Sequence, residues 1–191
     1  MSIDMVHAKF EKVSKEEYAK SFPPELISDK REEFDKMYND IKLPTRATKQ
    51  SAGYDFFLPF PIVDLCPGCS VLIPTGIKVR IDPGWCLFLM PKSGLGFKYR
   101  LQLDNTIGLI DADYYNNESN EGHIMVSLTN DLKESQNIQM NRITNKPEFV
   151  ENSIINLPTG KSFVQGVLLP FGIADSDNAN AVRTGGLGST N

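Results

Sequence analysis

The sequence predicts an all-β fold, a barrel or jelly roll, carrying a short helical insertion near its N-terminus. Two observations carry that expectation. From Leu43 onward the chain breaks into short β-rich runs (DFFLPF, SVLIPTGIKVRI, GWCLFLM, HIMVSLTN and FVQGVLLPF) punctuated by Pro and Gly, the texture of closed antiparallel architectures. Ahead of that region, one stretch switches to helical spacing. A length of 191 residues with 40% hydrophobic content suits one domain with insertions.

The elements follow in order. Val6 to Val13 (VHAKFEKV) reads as a strand, and Ser14-Lys15-Glu16-Glu17 has the S-x-x-E form of a capping box that opens a helix. Pro23-Pro24 stops it. Ser28 is then expected to cap a second helix in which Phe34, Met37, Tyr38 and Ile41 form an apolar stripe for packing. The helical insertion thus spans about 14–41. The β region follows, interrupted by a polar, Asn-rich insertion or long hairpin over about 131–158. Residues 1–174 are read as the β domain. The tail 175–191 (DSDNANAVRTGGLGSTN) is too poor in large apolar residues to pack and reads as an arm that a ligand would order.

Composition narrows the function. Lys plus Arg number 20 against 24 Asp plus Glu, a net charge of −4, which argues against a chain that coats nucleic acid or an anionic membrane. A phosphate partner would be small and locally held. The longest apolar run, Trp85 to Met90, is far short of the roughly 20 residues of a spanning helix, and MSIDMVHAKF lacks the apolar core of a signal peptide; a soluble, cytoplasmic protein is expected. Cys66-Pro67-Gly68-Cys69 could suggest zinc or redox chemistry, but only Cys86, His7 and His123 remain as further ligands. The Pro-Gly pair reads instead as a hairpin turn, and three thiols without a pairing framework fit a reducing compartment.

Five short segments carry chemistry: Ala52-Gly53-Tyr54-Asp55; Pro91-Lys92-Ser93-Gly94-Leu95-Gly96; Asn105 through Tyr114 (NTIGLIDADY); Gly160 through Gln165 (GKSFVQ); and Arg183 through Thr190 (RTGGLGST). In the second, a cation, a hydroxyl and glycine-freed amides cluster as a phosphate cradle requires. Asp111 and Asp113 would share a face of an extended strand, so spacing alone does not choose between them as a base.

Taken in order, the five segments resemble the motifs of the homotrimeric dUTPases over most of the chain outside its insertions, and LPTRATKQSAGYD and PGCSVLIPTGIKV are similar to that family as well. The resemblance implies a jelly-roll subunit, a homotrimer with active sites shared between chains, and hydrolysis of dUTP to dUMP and pyrophosphate with Mg²⁺. It makes Asp111 the general base and Asp113 a structural partner. Asn105, with backbone groups from about 101 to 114 (Gly108 and Ile110 among them), would read uracil. Tyr114 would lie beneath the deoxyribose. Lys92, Ser93, Gly94 and Gln165 would hold phosphates, Asp55 would contact the metal through water, and Arg183, Leu187, Gly188, Ser189 and Thr190 would close over the nucleotide. Three departures stand out: Lys92 replaces the family's usual Arg, Leu187 its usual aromatic residue, and only Thr184 separates Arg183 from the glycine pair. A dCTP deaminase of the same superfamily and a non-catalytic binding module remain as alternatives.

Overall fold

A computed structural model describes residues 7–132, 138–140, 147–149, 154–181, 183, 185 and 186. In chain order its elements are β1 (Ala8–Lys12), α1 (Lys15–Ala19), α2 (Pro24–Asp29), α3 (Arg31–Asn39), β2 (Thr45–Arg46), β3 (Tyr54–Phe57), β4 (Ile62–Leu65), β5 (Ser70–Pro74), β6 (Ile77–Ile81), β7 (Trp85–Pro91), α4 (Ser93–Tyr99), β8 (Leu101–Leu103), β9 (Gly108–Ile110), a 3₁₀ turn (Ala112–Tyr114), β10 (Met125–Asn130), β11 (Ile138–Met140), β12 (Pro147–Phe149), β13 (Ile155–Leu157) and β14 (Ser162–Pro170). The order β2-β3-β14-β7-β9 forms a five-stranded sheet and β5-β10-β8 a three-stranded one, with β1-β6, β4-β13 and β11-β12 as pairs. The pairings are antiparallel, in agreement with the all-β expectation.

Alternation builds the core. Along β10 every second residue (Val126, Leu128, Asn130) is buried, and Phe56, Leu87, Leu89 and Val164 of the large sheet join Ile73, Leu101 and Leu128 of the smaller one in a single apolar cluster. The helical insertion docks on this core through Tyr18 and Phe34, whose rings stack 5.9 Å apart beside Phe22. Between β5 and β6 the chain turns at Gly76 with φ +70°, where a Cβ would collide with Ile41 Cδ1 and crowd the Tyr18 ring. Only glycine serves both the turn and the docking.

The helices differ in detail from expectation. Ser14 caps α1 by accepting the Glu17 N–H at 3.0 Å, but the reciprocal half of the box is absent, because the Glu17 carboxylate pairs with Lys20 and the Ser14 N–H is donated to Glu121. Ser28 does not cap a helix. Its hydroxyl donates back to the Glu25 carbonyl inside α2, and α3 opens at Lys30 without a side-chain cap. Phe34 of the stripe is buried on α3, whereas Ile41, also buried, lies past the helix end at Asn39 and not on the helix as expected.

Cys66 and Cys69 flank a turn whose Cα atoms stand 5.3 Å apart and are joined as a disulfide, leaving Cys86 as the free, buried cysteine. The turn reading holds, while the expectation of three free thiols does not: a Pro-Gly turn closes the two side chains onto each other. Among the described residues no helix is long and apolar enough to cross a membrane.

Candidate active site

The large sheet gathers four of the five segments onto consecutive strands. Asp55 lies on β3, Gln165 directly opposite it on β14, Lys92 follows β7, and Gly108 and Ile110 form the ends of β9. Lys92 Nζ meets Asp55 Oδ1 at 2.7 Å, with both side chains less than a third exposed. The expected phosphate ligand and the expected metal contact are therefore partners of each other in the free chain. Gly53 makes room beside them, since a Cβ there would stand 2.8 Å from Gln165 Oε1. Ser93 and Gly94 open α4 as an exposed pair, a short helix that the β texture of the sequence did not foretell.

The aspartates stand elsewhere. Asp111 is extended (φ −79°, ψ 156°) and Asp113 already belongs to the 3₁₀ turn, which corrects the picture of both on one extended strand. Arg183 nevertheless joins them: its Nη2 donates to Asp111 Oδ2 at 2.6 Å and its Nε to Asp113 Oδ1 at 2.9 Å. The guanidinium also lies 5.6 Å over the Tyr114 ring. Such a fork bound to two carboxylates is a strong charge-assisted contact. Burial pushes the Cys86 thiol pKa up, and the negative charge of nearby Asp111 adds to it. Asp111 thus sits at the Cys86 end of β7.

Tyr114 is buried. Its hydroxyl donates to the His123 carbonyl at 3.0 Å and accepts from Asn120 at 2.7 Å, so its polar tip is spent within the protein and only a ring face can meet a sugar. The backbone from about 101 to 114 that is expected to read uracil is not a hairpin, because β8 pairs with β10 and β9 with β7. Asn105 sits in the exposed turn between two sheets, next to Thr106 with φ +64°. Ile110 is buried opposite Leu87 and Gly108 packs against Leu89, so both can offer a ligand only their backbone. Leu187, Gly188, Ser189 and Thr190 lie outside the described residues.

A family model described as dUTPase matches residues 39–144, more than half the chain. A deoxyuridine 5'-triphosphate nucleotidohydrolase of Lactococcus lactis is 38% identical over 152 residues, covering 78% of this chain and 88% of that one. The protein of the same name from Aeromonas salmonicida is 35% identical over 159 residues, 79% of this chain and 88% of that one. This chain belongs to the dUTPase family. The dUTPase of Streptococcus mutans matches with a TM-score of 0.57 at 29% identity, over 87% of this chain and 98% of that one, and fixes the fold as the β-rich, jelly-roll-like dUTPase subunit. A mutant dUTPase from phage phi11 of S. aureus shares the fold at 20% identity (TM-score 0.57, 92% and 97% coverage), and in it a structural Mg(II) ion is coordinated.

Within this dUTPase, the residues behind the third segment were missed by sequence reasoning. Asn117 Oδ1 accepts from the Ser119 N–H and hydroxyl and the Asn120 N–H, while its amide donates to the Tyr114 carbonyl at 2.8 Å. The run Asn116 to Asn120 (NNESN) is polar in composition, which does not by itself reveal a closed network. Glu121 reaches back to the helical insertion, accepting from Ser14 Oγ at 2.5 Å and Ser14 N–H at 3.0 Å, and from Lys78 at 3.1 Å. Partial burial raises its pKa, but these donors outweigh burial and hold the carboxyl at about 2.

The donor set bears on the metal. Among the described residues no three His, Cys, Asp or Glu side chains converge as a metal site. One part-buried carboxylate, Asp55, beside a basic cradle fits Mg²⁺ held chiefly by phosphate oxygens and water, the habit of that ion.

Proposed function

We infer that this chain hydrolyses dUTP to dUMP and pyrophosphate. The observation that carries the reading is the pairing of family membership with Asp111, a partly exposed carboxylate immediately before the 3₁₀ turn and held by the arm's arginine. In the proposed reaction, water attacks the α-phosphorus in line. Its proton passes to the Asp111 carboxylate, its oxygen bonds to phosphorus, and the bond to the bridging oxygen breaks with its electron pair leaving on pyrophosphate. Bound Mg²⁺ would neutralise phosphate charge, with Asp55 touching its water shell. Asn105 and the backbone of Gly108 and Ile110 would present fixed donors and acceptors to uracil, rejecting cytosine by leaving buried groups unpaired. Lys92, Ser93, Gly94 and Gln165 would hold the phosphates.

Arg183 now holds one of the two Asp111 carboxylate oxygens, and its positive charge lowers the basicity of the carboxylate that is to take the water's proton. We therefore assign the triphosphate a second role, in which its charge draws Arg183 off Asp111 and the arm follows, bringing Leu187 through Thr190 over the nucleotide.

Strand arithmetic supports a shared site. Asp111 succeeds Ile110, the partner of Leu87, whereas Lys92 succeeds Pro91 at the far end of β7. Six residues at about 3.3 Å each separate the two backbone positions by about 20 Å, a span that favours contributions from separate chains. In the proposed homotrimer with three equal interfaces, a cradle from one chain would meet an aspartate from another. A nucleoside triphosphate is a metabolite of the cell interior, and the cytoplasm is the compartment assigned to the reaction.

Pyrophosphate release across dUTP, dTTP, dCTP and UTP tests the chemistry; release from dUTP alone is expected, and ammonia from dCTP would favour the deaminase. Mixing equal amounts of Asp111→Asn and Lys92→Ala subunits after unfolding and refolding tests sharing. Roughly a quarter of wild-type activity is expected to return, because one site in four pairs the two intact halves. No recovery in co-assembled trimers would place each site within one chain.

A further inference from the structure

Beside the end of β7 lies a cavity of about 430 Å³ whose lining includes Lys92, Lys98, Tyr99, Lys161 and Ser162, with no carboxylate in its wall. In a chain of net charge −4, a concavity whose charged residues are all lysines departs sharply from the average surface. Lys92 is spoken for by Asp55. Lys98 and Lys161 are not: neither has a carboxylate partner among the described residues, and Lys98 rests its ammonium 4.9 Å over the neighbouring Tyr99 ring.

The backbone holds this geometry. Lys92 N–H donates to the Phe163 carbonyl at 3.3 Å, and the Lys161 carbonyl accepts from Leu58 N–H at 2.9 Å. The turn that begins β14 is thereby tied to both β3 and the end of β7. Behind it stands a fourth cation, Lys42, whose Nζ lies 3.5 Å from where a Gly160 Cβ would be. Like charges gathered in a concave wall without counter-ions raise each other's cost and lower that of an arriving polyanion.

We propose that Lys98 and Lys161 complete, with Lys92, a subsite for condensed phosphate: it takes the β- and γ-phosphates of the nucleotide and, after cleavage, the pyrophosphate. This rests on the dUTPase reading above. Lysine suits this role, since its ammonium is a compact charge on a flexible stem that binds phosphate without the rigid fork of arginine and lets a product leave. Uracil and the α-phosphate lie outside the subsite, so dUMP should not sense these two lysines.

The test is calorimetric titration of inorganic pyrophosphate and of dUMP, each with Mg²⁺, into the assembled full-length protein. Wild type is compared with Lys98→Ala/Lys161→Ala and with the charge-keeping Lys98→Arg/Lys161→Arg. Expected in the alanine pair is pyrophosphate affinity lower by on the order of tenfold per lysine, a shallower dependence on salt, unchanged dUMP affinity and a raised KM for dUTP; the arginine pair should stay near wild type. Pyrophosphate binding as tight in the alanine pair as in wild type overturns the subsite, as does equal weakening of dUMP and pyrophosphate. Loss of pyrophosphate affinity in a protein that does not cleave dUTP would sink the functional reading and leave the subsite standing. Normal dUTP cleavage with unchanged pyrophosphate binding would do the reverse.

Discussion

Acidification from about pH 8 to about pH 5 should destabilise this protein through one side chain. His123 is 1% exposed, its Nε2 accepts the Gly76 N–H at 2.9 Å, and burial, opposed only by the charge of Glu121, pushes its pKa down to about 4 from 6.5. Because the folded value is depressed, the unfolded chain binds a proton that the folded chain refuses, and stability falls as pH drops from about 6.5 toward 4. Integrated, the loss is about 2 kcal/mol by pH 5 and about 3 kcal/mol by pH 4, a sizeable share of a typical 5–15 kcal/mol. Glu121 leaves the window clear, since a carboxyl held at about 2 gives up its contribution only below its ordinary value of 4.5. The assay is urea unfolding at both pH values and one protein concentration, for wild type and His123→Gln, whose amide oxygen can still accept from Gly76 but does not titrate. Wild type should lose about 2 kcal/mol and the variant less than half of that. A flat wild-type profile, or equal slopes in both proteins, would refute a buried neutral imidazole as the cause.

Other outcomes follow from the same contacts. Asp111→Asn should keep nucleotide affinity within about tenfold while kcat falls by about 10² to 10⁴, and Asp113→Asn should be mild; the opposite ranking in steady-state kinetics would exchange their roles. Gly53→Ala places a methyl 2.8 Å from Gln165 Oε1, so the amide should swing away at a stability cost under about 1 kcal/mol while KM for dUTP rises several-fold; an unchanged KM removes Gln165 from the cradle. Ser14→Ala forfeits both the cap of α1 and the hydroxyl that Glu121 grips, which should cost about 1 to 2 kcal/mol in thermal or urea unfolding. Removing Arg183 to Asn191 should leave the assembly state unchanged by light scattering and the protein nearly inactive.

The β-rich class, the strand around Phe10, the helical insertion and the principal strands were legible because each depends on local periodicity and on Pro or Gly punctuation. Partner choice was not. Nothing near Leu101 or Gly108 announces that β8 and β9 join different sheets, since that is settled by which distant strand offers a complementary face. The helix α4 hid behind two glycines, and Ser28 looked like a cap because cap chemistry is common in polar segments while its use depends on where the backbone has already begun to coil. At the site, the segments and Asp111 were visible as patterns, whereas the Arg183 fork, the Lys92–Asp55 pair and the grip of Glu121 on Ser14 link residues tens of positions apart. Charge type is written in a sequence; who meets whom is not.

The run of neighbouring strands that carries four of the five segments also says where this chain can tolerate a change of length. Inserting or deleting one residue within β3, β7 or β14 would turn every following side chain to the opposite face, parting Gln165 from Asp55 and Lys92 from both. Extra residues beyond the strand ends cost little more than loop closure, which grows only slowly with length. The helical insertion and the stretch between β10 and β13 both fall in such places. Growth in this protein is thus confined to the margins of a ruled page: segments can be lengthened between the lines, while the spacing of the lines stays as it is.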